Sequence, residues 1–105
     1  MKVISPESLK AKNEANEKYC LLDIREPYEY EICTIGGLQI PMGEVVDRID
    51  ELPKDEQIVV MCRSGVRAAA MANLLETDFK FEDVAFLDGG ILGWIEAVDQ
   101  SLEAY

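Results

Sequence analysis

The chain contains no histidine. That absence excludes Cys-His and Ser-His-Asp machinery, and with them every histidine-ligated metal site. There are only three cysteines, Cys20, Cys33 and Cys62, with no CxxC pair. An odd, scattered set implies no disulfide framework and matches no common zinc spacing. No metal or organic cofactor is expected. Bases are scarce too: 10 Lys and Arg face 21 Asp and Glu, for a net charge of −11. After Arg67 the only base is Lys80. Such a surface suits neither nucleic acid nor an anionic membrane. No apolar run is long enough to span a bilayer, and no basic-then-apolar signal opens the chain. A soluble, cytoplasmic protein is the expectation. The 105 residues suffice for one domain, 1–105, around a single core.

What is present alternates between strand-like and helix-like segments. Val3-Ile4 is a short strand, and Ser5-Pro6-Glu7 reads as N-cap, N1 proline and acidic first turn of a helix reaching about Ala15. Tyr19 to Ile24 is apolar on both faces, as in a buried parallel strand. Pro27 opens a short helix through Glu31, and Leu38 to Pro41 is extended. Gly43 to Leu52 reads as an amphipathic helix with Val45, Val46, Ile49 and Leu52 on one face. Ile58 to Met61 is a strand, Arg67 to Thr77 an alanine-rich helix and Val84 to Leu87 the last strand. Asp88-Gly89-Gly90 then turns into a helix carrying Leu92, Trp94 and Ile95. Strand–helix alternation predicts an α/β domain with a mostly parallel sheet, whose ligands bind at the carboxyl ends of the strands. Asp23, Cys62 and Asp88-Gly89-Gly90 all follow strand ends.

Cys62-Arg63-Ser64-Gly65-Val66-Arg67 carries the chemistry. It places a thiol between a strand and a helix N-terminus, where main-chain N–H groups converge and anions are favoured. A helix N-terminus stabilises a nearby anion by roughly 0.3–1 kcal/mol. An anionic sulfur here therefore needs direct hydrogen bonds from the amides of residues 63–67, with help from the Arg67 and Arg63 charges. Gly65 supplies the φ > 0 kink that a ring of amides requires. Four residues separate Cys62 from Arg67, one fewer than in cysteine phosphatases, so the ring suits a single sulfur better than a tetrahedral phosphate.

Three stretches together resemble the rhodanese family: Leu22-Asp23-Ile24-Arg25-Glu26-Pro27-Tyr28-Glu29-Tyr30, the Cys62–Arg67 loop, and Leu87-Asp88-Gly89-Gly90 with Trp94. The resemblance implies a five-stranded parallel sheet flanked by helices on both faces, and a catalytic cysteine that carries a persulfide. The tail from Gly89 to Tyr105 is similar to the end of rhodanese domains fused to MoeB/ThiF-type adenylyltransferases. This implies a small anionic sulfur donor such as thiosulfate, or a cysteine desulfurase. It also implies a sulfur-carrier protein or such an adenylyltransferase as partner, in molybdopterin or thiamine biosynthesis. Many members carry Gly-His-Ile followed by Pro-Gly-Ala where this chain has Cys33-Thr34-Ile35-Gly36-Gly37-Leu38, so Thr34 replaces the family's usual histidine.

The expectation is a sulfurtransferase. Cys62 is its nucleophile, Arg63, Ser64, Gly65, Val66 and Arg67 form the binding loop, and Asp23 pairs with Arg25 to order the edge of the site. Arg63 and Arg67 attract the donor, and Arg67, placed against the helix dipole, calls for an anion or Asp partner. Cys20 and Trp94 read as core. Cys33 reads as an incidental thiol in a polar loop, with a persulfide-resolving role or a bond to Cys62 as the alternative. A rhodanese-like interaction module with idle chemistry, and a cysteine phosphatase or arsenate-type reductase, are the competing functions.

Overall fold

A computed structural model describes residues 2–105. The strands are β1 (Lys2–Ile4), β2 (Tyr19–Asp23), β3 (Leu38–Gln39), β4 (Gln57–Met61) and β5 (Val84–Leu87). The helices are α1 (Pro6–Glu14), α2 (Pro27–Ile32), α3 (Val66–Thr77) and α4 (Gly90–Ala97). The strands form one five-stranded sheet in the order β1-β5-β4-β2-β3, with every pairing parallel. Side chains alternate across a strand, and this sheet uses both faces. Ile58, Val60 and Cys62 point into one core with Ala68, Met71, Ala72 and Leu75 of α3. Val59 and Met61 point into the other, with Leu9 of α1 and Ile91, Trp94 and Ile95 of α4. The expected sheet with helices on both faces is therefore present.

Local signals explain most element ends. The Ser5 hydroxyl accepts from the Ser8 amide at 3.1 Å and Pro6 occupies the first turn of α1. Glu26 and Glu29 form a reciprocal capping box around Pro27, so α2 starts where the proline says it should.

Two expectations need correction. Gly43 to Leu52 is not an α-helix: 3₁₀ turns cover Met42–Glu44 and Val46–Glu51, broken where Arg48 leaves helical geometry at φ −114° and ψ 23°. Val45 and Leu52 are buried, but Val46 stays 48% exposed. Two buried anchors seven residues apart fit a broken segment as well as a regular helix. Arg48 holds the tight form by bonding Glu44 at 3.2 Å and Glu51 at 2.6 and 3.0 Å. Cys33 is no polar-loop thiol either. It is buried in the core on the α1/α4 face, whereas Cys62 lies in the core on the α3 face. The sheet stands between the two sulfurs, so neither a Cys33–Cys62 bond nor a resolving role fits this arrangement.

Candidate active site

β4 ends at Met61, and Cys62 begins the turn into α3. Its Sγ accepts hydrogen bonds from the main-chain N–H of Gly65 at 3.1 Å and of Ala68 at 3.3 Å. Gly65 reaches this position at φ +104°, in the left-handed region that glycine enters without strain. Ala68 lies one residue beyond the stretch expected to supply amides. The N–H groups of Val66 and Arg67 open α3 and have no carbonyl four residues back to bond within the helix. Ser64 and Val66 turn their side chains to solvent, Val66 being 76% exposed, so both serve the loop through their main chain. Cys62 itself is 0% exposed.

The outer side of the loop is held by α4. Ile91 N–H donates to the Cys62 carbonyl at 2.8 Å, and Leu92 N–H donates to the Arg63 carbonyl at 3.1 Å. With both carbonyls turned outward onto the start of α4, the following amides are left to face the sulfur. The Asp88-Gly89-Gly90 turn thus supports the loop from behind.

Asp23 and Arg25 form a fully buried ion pair, with Nη2 2.8 Å from Oδ2 and Nε 3.0 Å from Oδ1. The remaining Arg25 donors reach the Cys33 carbonyl at 2.9 Å, the Glu29 carbonyl at 3.3 Å and the Tyr105 hydroxyl at 2.9 Å. A buried guanidinium with every edge occupied is the condition under which such a pair is tolerated. Burial would lower the Arg25 pKa, but the bonds to Asp23 and Tyr105 win and raise it.

Arg67 meets its anion in Glu29, a residue the sequence left without a role. The pair is bidentate, at 2.9 and 3.1 Å. The Glu29 carboxylate also accepts from the Glu26 amide at 3.0 Å and the Tyr105 hydroxyl at 2.6 Å. Burial would push this carboxyl up, but the bonds from Arg67, Tyr105 and the Glu26 amide bring it down to about 2. Burial and donation to Glu29 push the Tyr105 hydroxyl up to about 12, so it remains a donor at neutral pH. Arg63, by contrast, extends to the main-chain oxygen of Tyr105 and lies 5.1 Å from that ring's centroid. Among the described residues it pairs with no side-chain carboxylate. The two loop arginines, expected to act together, are therefore engaged differently.

The depressed Glu29 carboxyl fixes a sign. The folded state favours ionised Glu29, so its contribution is full above about pH 5 and fades as pH falls toward 2. The shift is worth on the order of 3 kcal/mol. In urea titrations Glu29→Gln should be less stable than wild type at pH 7, with the gap narrowing between about pH 5 and 2. A gap independent of pH would contradict this assignment.

The rhodanese-like domain model matches residues 5–97. The chain belongs to the rhodanese-like family. A protein of Allochromatium vinosum named sulfurtransferase is 39% identical over 93 residues, covering 87% of this rhodanese domain and 85% of its own length. "Probable adenylyltransferase/sulfurtransferase MoeZ" of Mycobacterium tuberculosis is 30% identical over 106 residues, covering 97% of this chain. The chain spans only 26% of that protein's length. Among solved structures, a rhodanese-like domain protein from Staphylococcus aureus is 27% identical and superimposes with a TM-score of 0.83 over 100% of this chain and 99% of its own.

Proposed function

We propose that this rhodanese domain is a sulfurtransferase in which Cys62 carries the transferred sulfur as a persulfide. The observation that carries the reading is the pair of main-chain N–H groups, of Gly65 and Ala68, aimed at Sγ. These donors favour negative charge on sulfur, whether on a thiolate before transfer or on a persulfide after it.

With thiosulfate as donor, the Cys62 thiolate attacks the outer sulfur. A new S–S bond forms while the S–S bond of thiosulfate breaks, and its electron pair leaves with sulfite. The transferred sulfur arrives already oxidised, so no external oxidant is needed. A thiolate acceptor then attacks the terminal sulfur of Cys62–S–S⁻, and the Cys62 thiolate leaves. A cysteine desulfurase persulfide enters by the same exchange. An adenylyltransferase partner is supported by the likeness to MoeZ, whose name joins adenylyltransferase to sulfurtransferase, and a sulfur-carrier protein by the 36% identity to "Putative sulfur carrier protein YrkF" of Bacillus subtilis.

Phosphatase chemistry is less well supported. It needs the loop arginine to grip two phosphate oxygens. In this fold both Nη groups of Arg67 are committed to Glu29. The test is sulfite release from thiosulfate with cyanide as acceptor. Cys62→Ser should lower the rate roughly a thousandfold or more, to background, since no second thiol stands in the loop. Wild-type protein that hydrolyses an aryl phosphate through Cys62 but releases no sulfite would reverse the ranking. Inactivity with every donor, alongside tight binding of a partner protein, would favour the idle module.

A further inference from the structure

Tyr105 touches three of the charged groups around the thiol, although it lies 80, 76 and 42 residues from them in sequence. We infer that Tyr105 is a positioning residue for sulfur transfer: its hydroxyl fixes the Glu29–Arg67 pair against the start of α3, and its main-chain oxygen and ring hold Arg63 on the exposed side of the loop. The inference rests on the sulfur-transfer reading and deepens it, because it assigns separate tasks to the two arginines.

The hydroxyl arm is a bridge between two ion pairs. Tyr105 Oη accepts from Arg25 Nη1 at 2.9 Å and donates to Glu29 Oε2 at 2.6 Å. It thereby joins Asp23–Arg25 to Glu29–Arg67 in one cluster of two carboxylates and two guanidiniums, whose formal charges cancel. Arg67 is the second residue of α3, and the next residue, Ala68, gives its amide to Sγ. Fixing Arg67 fixes the main chain from which that amide projects. The Arg67 charge is spent inside the cluster, so the residue shapes the loop rather than meeting the donor.

The main-chain arm holds Arg63 outside that cluster. Nε and Nη2 both donate to the Tyr105 main-chain oxygen, and the guanidinium lies over the Tyr105 ring. A main-chain oxygen and a ring face together orient the guanidinium on the exposed side of the loop. Arg63 is thus the loop guanidinium outside the buried cluster, exposed and placed to meet an anionic sulfur donor.

The arms separate by substitution. Tyr105→Phe keeps the ring and the main-chain oxygen but removes the bridge; Tyr105→Ala removes both bridge and ring. In steady-state kinetics with thiosulfate, Tyr105→Phe should lower kcat about fivefold and leave KM within about twofold. Tyr105→Ala should also raise the thiosulfate KM about tenfold. In a Glu29→Gln background, Tyr105→Phe should cause no further loss of kcat, because its route to the loop is already cut. A merely structural role for the tail predicts additive losses instead. If circular dichroism shows Tyr105→Ala unfolded, the ring arm is read from Arg63→Gln, which should raise KM about tenfold with Tyr105 intact. Wild-type kinetics in Tyr105→Phe, an undiminished effect in the Glu29→Gln background, or an unchanged KM in the variant that reads the ring arm would each overturn the inference. Those results leave the sulfurtransferase itself standing. Absence of sulfite release by wild type would remove the underlying reading instead.

Discussion

Gly90→Ala should both destabilise the protein and abolish sulfur loading. Gly90 has φ +61°, and a Cβ built there would sit 2.4 Å from the carbonyl oxygens of both Cys62 and Arg63. A non-glycine residue in this left-handed conformation costs about 1–2 kcal/mol through its own backbone. The contact adds more, since neither oxygen can move freely: the amides of Ile91 and Leu92 bind them at 2.8 and 3.1 Å. Pushing α4 away breaks those bonds and frees the Cys62–Arg63 peptide to rotate, which misdirects the amides on the sulfur side. Losing two buried hydrogen bonds adds roughly 1–3 kcal/mol per group left unsatisfied. We expect a total of about 3 kcal/mol or more in urea unfolding, and no persulfide by mass. Gly43→Ala is the control, because a Cβ there meets nothing within 4 Å. Equal stability of the two variants would refute the role given to the Gly89-Gly90 turn.

Asp23→Asn should cost about 3–5 kcal/mol, because it leaves the Arg25 charge buried without its carboxylate. Both side chains are 0% exposed, so water cannot compensate. The guanidinium also ties the Cys33 and Glu29 carbonyls and the Tyr105 hydroxyl, so its displacement loosens the whole edge of the site. In a domain this small the loss should lower Tm by roughly 12 °C or more. A variant within about 1 kcal/mol of wild type would show that the pair is not the anchor described here.

The site was legible in sequence wherever local chemistry marked it. Cys62 follows an apolar strand and precedes a glycine kink, and both signals lie within a few residues of the thiol. The buried Asp23–Arg25 pair was readable because its members are two residues apart at a strand end. Arg67 at a helix N-terminus announced a missing anion, but not its identity. Glu29 is 38 residues away and could be placed only once α2 and α3 were brought together. Tyr105 gave no local signal at all, since its partners lie in two distant stretches, Arg25 and Glu29 in one and Arg63 in the other. The fold was readable for the same reason in reverse: buried strands and proline-capped helices declare themselves over short windows. The segment from Gly43 to Leu52 misled because burial of Val45 and Leu52 alone does not distinguish a regular helix from broken 3₁₀ turns.

The most direct measurement is the intact mass of a Cys20→Ala, Cys33→Ala variant after incubation with thiosulfate, followed by peptide mapping. Alanine is used so that no hydroxyl is buried in either core. A gain of one sulfur atom is expected, removable by a thiol and located on the peptide that contains Cys62. No gain with thiosulfate or with a persulfide donor, in a variant shown to be folded, would contradict a persulfide on Cys62.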